Sequence, residues 1–83
     1  MRLFVTEKAQ KDLARLDKQT RNRIKTALDN MAKDINTVDL RKLKGAPDRW
    51  RLRVGDYRVL LLYSGGEATV YALRVKHRKD AYK

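Results

Sequence analysis

Cysteine is absent from this 83-residue chain. Disulfides and thiolate metal sites are thereby excluded, and a reducing compartment is permitted. Histidine occurs once, too few for a protein zinc site, so neither a metal nor a cofactor is expected. Long apolar runs are also missing. The longest near-apolar stretch, residues 59–63, is far short of a membrane span. No basic amphipathic segment carries an aromatic face, so no membrane partner is expected. The N-terminus lacks the charged and then apolar pattern of a signal peptide, and the expectation is a cytoplasmic protein. Repeats, linkers and low-complexity tracts are absent as well.

Positive charge, by contrast, is abundant. Lys and Arg total 21 against 10 acidic residues, a net charge of +11. Charge this dense repels itself and attracts polyanions, nucleic acid first among them. Solubility alone explains a modest imbalance, but explains +11 on so short a chain poorly. Apolar residues make up 42% of the chain, enough for one core and too much for a disordered basic tail. The length fits a single domain over residues 1–83. A domain this small buries only about 60% of the surface its unfolded chain exposes, so a tightly bound partner matters to its stability.

The pattern along the chain predicts an α+β domain of order β-α-α-β-β-β. Residues 2–5, Arg-Leu-Phe-Val, read as a short strand. Thr6 is placed as an N-cap with Glu7 in the first turn behind it. Ala9, Leu13 and Leu16 recur at helical spacing. After a break at Asp17 and Lys18, Ile24, Ala27, Leu28, Met31 and Ile35 form the stripe of a second helix, roughly residues 18–34. Residues 36–48 are polar, contain the turn Gly45-Ala46-Pro47, and read as a loop. The period then changes to two: Trp50, Leu52 and Val54 alternate with Arg49, Arg51 and Arg53. Gly55-Asp56 signals a hairpin. Residues 57–63 form the next strand, and Gly65-Gly66 precedes a last one at 68–75. Two helices packed on one face of a small, mostly antiparallel sheet follow from this order.

A two-residue loop at Gly55-Asp56 pairs Val54 with Tyr57, Arg53 with Arg58, Leu52 with Val59 and Arg51 with Leu60. One face then carries Trp50, Leu52, Val54, Tyr57, Val59 and Leu61 and takes the helices. The other carries Arg49, Arg51, Arg53 and Arg58. Same-side neighbours on a strand lie about 6.6 Å apart and opposed residues about 5 Å apart, so Arg51, Arg53 and Arg58 crowd a patch the width of one phosphodiester. Like charges directly opposed across strands destabilise a sheet by up to about 1 kcal/mol. A bound anion relieves that, and the planar fork of arginine matches a phosphate. The competing reading is a solvated face whose arginine stems cover apolar surface. The opposition of Arg58 from a second strand favours the phosphate site.

The basic tail adds His77, whose residue type has an ordinary pKa of about 6.5, then Arg78, Lys79 and Tyr82. Tyr82 offers a plane for stacking a splayed base, an interaction of roughly 1–3 kcal/mol in single-strand binders. Lys42, Lys44, Arg49, Lys76 and Lys79 extend the basic surface available to an RNA backbone.

The ordered set Lys42-Leu43-Lys44-Gly45, Trp50-Arg51-Leu52-Arg53-Val54-Gly55-Asp56-Tyr57-Arg58-Val59 and His77-Arg78-Lys79-Asp80-Ala81-Tyr82 resembles the RelE/ParE toxin superfamily, over essentially the whole chain. The resemblance implies a ribosome-dependent mRNA endoribonuclease that uses the 2′-hydroxyl of its substrate, leaves a 2′,3′-cyclic phosphate and needs no metal. It gives Arg51 and Arg53 the RNA backbone, Arg58 the phosphorane-like transition state, Arg78 the leaving group and Tyr82 a base. The best-known RelE pattern has lysines where this chain has Arg51 and Arg53. Arginine is a poor general base. The base is therefore either His77 or absent, the site then working through electrostatics and in-line positioning by Arg51 and Arg53.

The same resemblance implies a RelB-like antitoxin partner besides the ribosome and mRNA. Leu60 and Leu62 share the arginine face beyond the basic patch, with Tyr71 and Leu73 joining from the last strand. This surface either seats an amphipathic antitoxin segment or is covered by the chain's own tail. Two other functions fit the resemblance and the charge: a ParE-like gyrase inhibitor on the same fold, and a non-catalytic basic RNA-binding module.

Overall fold

Each helix starts at a side chain that caps it. In the computed structural model, which describes residues 1–63 and 68–80, strand β1 (Arg2–Val5) runs directly into Thr6. Thr6 Oγ1 accepts a hydrogen bond from the Ala9 N–H at 3.2 Å and opens helix α1 (Glu7–Ala14). The break at Asp17 is a second cap. Its carboxylate accepts from the Thr20 N–H at 3.1 Å and opens helix α2 (Lys18–Lys33). Such caps each contribute about 1 kcal/mol. A short 3-10 turn (Ile35–Thr37) follows.

Four further strands complete the sheet: β2 (Asp39–Lys42), β3 (Arg49–Val54), β4 (Tyr57–Tyr63) and β5 (Thr69–His77). Their spatial order is β1-β5-β4-β3-β2. The β1/β5 pairing is parallel and the other pairings are antiparallel, so the sheet is mixed with an antiparallel majority. The β3–β4 register is the one that the Gly55-Asp56 turn predicts: Val54 opposite Tyr57, Arg53 opposite Arg58, Leu52 opposite Val59, Arg51 opposite Leu60. Gly55 takes φ +57°, where a side chain is strained, and a Cβ there meets the Arg23 guanidinium at 3.3 Å.

Both helices lie on one face. Ala9 and Leu13 of α1 and Ile24, Leu28 and Met31 of α2 pack with Leu52, Val59, Leu61, Val70, Ala72 and Val75 of the sheet to form the buried core. Ile35 falls outside α2 and is exposed, so the predicted stripe stops at Met31. Among the described residues, no helix is long and apolar enough to cross a membrane.

Two expectations are corrected. Residues 36–48 are not all loop: β2 pairs with β3 through Asp39↔Arg53, Leu40↔Leu52, Arg41↔Arg51 and Lys42↔Trp50. The chain therefore reads β-α-α-β-β-β-β. Only Leu40 is apolar in this strand. An edge strand accepts charge, because one side of its ladder and one of its faces meet water. The last strand also runs past its predicted end at residue 75 and draws Lys76 and His77 into the sheet.

Candidate nucleic-acid interface

The face of the sheet opposite the helices is built from rows of side chains that the register sets side by side. The first row is Asp39, Arg53, Arg58 and Lys76, one from each of β2 to β5. The second is Arg41, Arg51 and Leu60. The third is Arg49, Leu62, Tyr71 and Phe4, the last from β1. Strand spacing puts four side chains of a row within about 15 Å.

Arg58 is the centre of the cluster. Its Nη1 donates to the carbonyls of Gly55 and Tyr57, both at 2.9 Å, which folds the guanidinium back over the hairpin turn. Its Nε is buried and finds no hydrogen-bond partner among the described residues. Burial pushes the Arg58 guanidinium below its ordinary pKa. The charges of Arg53, Arg51 and Arg78 push the same way, and Asp39 opposes them. Arg51, Arg53 and Arg78 are thus near enough to Arg58 to repel it, with the Asp39 carboxylate acting against them. Such a site is short of negative charge, and a phosphodiester supplies it.

Arg78 comes from beyond β5 and is brought in by the hairpin. Its N–H donates to the Asp56 carbonyl at 2.7 Å, and its Nη1 lies 3.8 Å from Asp56 Oδ1. Arg49 is half-buried and paired with Asp48 at 3.0 Å.

Several sequence-predicted residues stand elsewhere. His77 pairs with Tyr57, on the helix side of the sheet, and packs edge-on to its ring with centroids 5.3 Å apart. Its Nδ1 accepts from the Lys79 N–H at 3.2 Å, which puts the proton of a neutral ring on Nε2. The ring therefore stands on the face away from the arginine cluster, with its Nδ1 engaged. Lys42 pairs with Trp50, also on the helix side, and sets its ammonium 5.9 Å from the indole centre. Lys44 and Lys79 are exposed and outside the rows, whereas Lys76 is in the first row, opposite Arg58. Tyr82 lies outside the described residues. Leu60, Leu62 and Tyr71 share the arginine face. Leu73 is the extra residue of a β-bulge, between Ala72 opposite Leu61 and Arg74 opposite Leu60.

Asp39, Arg41 and Phe4 join this face without having been singled out in the sequence. The first two belong to the strand read as loop. Phe4 is half-exposed and stacks on Tyr71, with centroids 5.7 Å apart. Parallel pairing across the whole chain brings these two rings together, and local spacing carries no sign of it. Among the described residues, no group of three or more His, Asp or Glu side chains is placed to hold a metal ion.

The sequence model of the ParE toxin of the type II toxin–antitoxin system parDE matches residues 3–82. The chain belongs to the ParE toxin family. Over 99% of its length the toxin is 32% identical to Toxin RelE3 of Methanocaldococcus jannaschii, of which it covers 96%. Its fold is similar to the toxin in the RelB–RelE antitoxin–toxin complex from Methanococcus jannaschii, with TM-score 0.79, 28% identity, and 96% and 95% of the two chains covered. The archaeal RelE–RelB complex from Pyrococcus horikoshii OT3 gives TM-score 0.76 and 27% identity, with 96% and 97% covered. The α+β architecture of the toxin, two helices against a five-stranded sheet, is shared with these structures.

Proposed function

We propose that the toxin is a ribosome-dependent mRNA endoribonuclease neutralised by a RelB-like antitoxin. The observation that carries this reading is the convergence of Arg51, Arg53, Arg58 and Arg78 on one open face. In the reaction, the 2′-oxygen attacks the adjacent phosphorus as the bond to the 5′-oxygen breaks, leaving a 2′,3′-cyclic phosphate. The pentacoordinate transition state carries more negative charge on its equatorial oxygens than the ground state does. Arg58, held in place by the turn carbonyls, is positioned to meet that charge, and Arg51 and Arg53 to hold the backbone in line. Arg78 takes the leaving-group side, and Tyr82 a neighbouring base. The growing charge is met by fixed guanidinium groups, so the reading calls on neither metal nor cofactor.

Primer extension on a translated mRNA tests it. Cuts in ribosome-bound message are expected with the wild-type toxin. Intact mRNA despite ribosome binding reduces the toxin to an RNA-binding module, and inhibition of gyrase supercoiling without cuts assigns it to the gyrase poisons.

Leu60, Leu62, Tyr71 and Leu73 are proposed to seat the antitoxin, with Phe4 now added beside Tyr71. Both similar complexes pair RelE with RelB, the first as toxin and antitoxin. An apolar strip beside strong positive charge suits an acidic amphipathic segment. Tyr71→Ala is expected to weaken antitoxin binding by about 10- to 100-fold, the range of an aromatic anchor. Titration calorimetry with the cognate antitoxin measures this, and an unchanged Kd removes the surface from the proposal.

A further inference from the structure

We propose that Asp39 is the general base that takes the proton from the 2′-hydroxyl. The inference rests on the nuclease reading above and supplies the group that reading lacks. Arginine side chains stay protonated in proteins, and lysine, with an ordinary pKa of about 10.4, enters at neutral pH as a cation. His77 is on the other face with its Nδ1 engaged.

Asp39 is differently placed. It stands directly opposite Arg53 at the head of the row Asp39, Arg53, Arg58, Lys76, on the open face. Its carboxylate is 45% exposed, so a substrate hydroxyl can reach it, and Oδ1 lies 3.7 Å from Arg41 Nε. Its charge acts on Arg58. The other nearby carboxylates are committed at the margins, Asp56 to Arg78 at the hairpin turn and Asp48 to Arg49 at the far end of β3. The charged groups beside Asp39 on this face are cations: Arg41 on its own strand, Arg53 directly opposite on β3 and Arg58 next to Arg53 on β4. An RNA linkage gripped by Arg53 and Arg58 thus has a carboxylate one strand away. The proton leaves O2′ for Asp39 as the O2′–P bond forms, and the P–O5′ bond breaks with O5′ gaining one proton from the medium, to which Asp39 then releases its own. The products hold the atoms of the substrate, and no net proton is consumed.

Single-turnover cleavage of ribosome-bound mRNA separates this role from a charge effect. Asp39→Asn is close in shape and removes the base together with its charge. It is expected to lower the maximal cleavage rate by about 10²–10⁴-fold, the usual contribution of a general base, with half-saturation unchanged or tighter, since a negative charge leaves the RNA surface. Asp39→Glu is expected to recover part of the rate. Thermal unfolding of both variants, with Asp39 on an exposed edge strand, confirms that the fold persists. A wild-type rate in Asp39→Asn, or a loss confined to half-saturation, overturns the assignment and leaves the nuclease reading standing. Absence of cuts by the wild type itself overturns both.

Discussion

Replacing Arg58 with alanine is expected to lower the rate of mRNA cleavage by about 10²–10³-fold, the usual cost of removing one fixed donor to a developing oxyanion. Arg58 sits between Arg53 and Lys76 in its row and feels Arg51, Arg53 and Arg78 together. Its guanidinium is already turned and held by two backbone carbonyls at 2.9 Å, so no reorganisation is needed as charge grows. Stability should respond in the opposite sense to activity, or not at all. The variant gives up those two hydrogen bonds and also the repulsion of three neighbouring cations, and these terms are of similar size. Arg58→Lys keeps the charge without the planar fork and is expected to fall between the two. Single-turnover cleavage beside thermal unfolding is the measurement. A variant that folds normally and still cuts at the wild-type rate removes Arg58 from the chemistry.

The largest expected effect on stability comes from a residue with no part in that chemistry. Strand β1 covers β5 only from Thr69 to Ala72, so the edge of β5 beyond it needs other partners. Helix α1 supplies them. The Thr6 hydroxyl donates to the Leu73 carbonyl at 3.1 Å. Asp12 accepts from the Val75 N–H at 2.9 Å and takes the Arg74 guanidinium in a two-pronged pair at 2.8 and 3.2 Å. Asp12→Ala leaves a backbone donor and a guanidinium without their acceptor. Its expected cost is about 2–3 kcal/mol, or on the order of 10–15 °C in Tm for a domain of this size.

The pH dependence carries a sign. Burial raises the Asp12 pKa, but the hydrogen bonds from Arg74 and the Val75 N–H, with the charges of Arg74 and Arg15, hold it below the ordinary 3.8. The Arg74 guanidinium is shifted up by the same pair. A depressed carboxyl binds its proton more readily in the unfolded chain. Its stabilisation is therefore complete above the ordinary carboxylate range and is lost as pH falls through the folded-state value below 3.8. Denaturant unfolding at pH 7 and near pH 3 should show the gap between wild type and Asp12→Ala narrowing on acidification. A constant gap means that the carboxylate contributes through packing alone.

Much of this site was legible before any coordinates. Arg49, Arg51 and Arg53 alternate with Trp50, Leu52 and Val54, and a glycine-led two-residue turn sets what stands opposite them. Both signals are local. Other parts were not legible, for reasons that differ by residue. Asp39 and Arg41 flank a single apolar residue, Leu40, and one residue makes no period. Phe4 meets Tyr71 only because the first and last strands pair in parallel.

The clearest case is the end of β5. Counting by twos from Tyr71 along a regular strand puts Leu73, Val75 and His77 on the arginine face. The bulge between Ala72 and Arg74 inserts one residue, so beyond it the faces exchange. Val75 goes into the core, His77 against Tyr57, and Lys76 beside Arg58. By itself, the amino-acid sequence determined the two helices, the central hairpin, its register and the face that carries Arg51, Arg53 and Arg58, since each follows from spacing and turn chemistry within a few residues. Only the tertiary structure decided that β2 is a strand, that Asp39 joins the arginines, and that lysine rather than histidine completes their row. Those outcomes depend on which backbone a strand finds beside it and on one added residue that reverses the side-chain alternation, and neither is written in local periodicity.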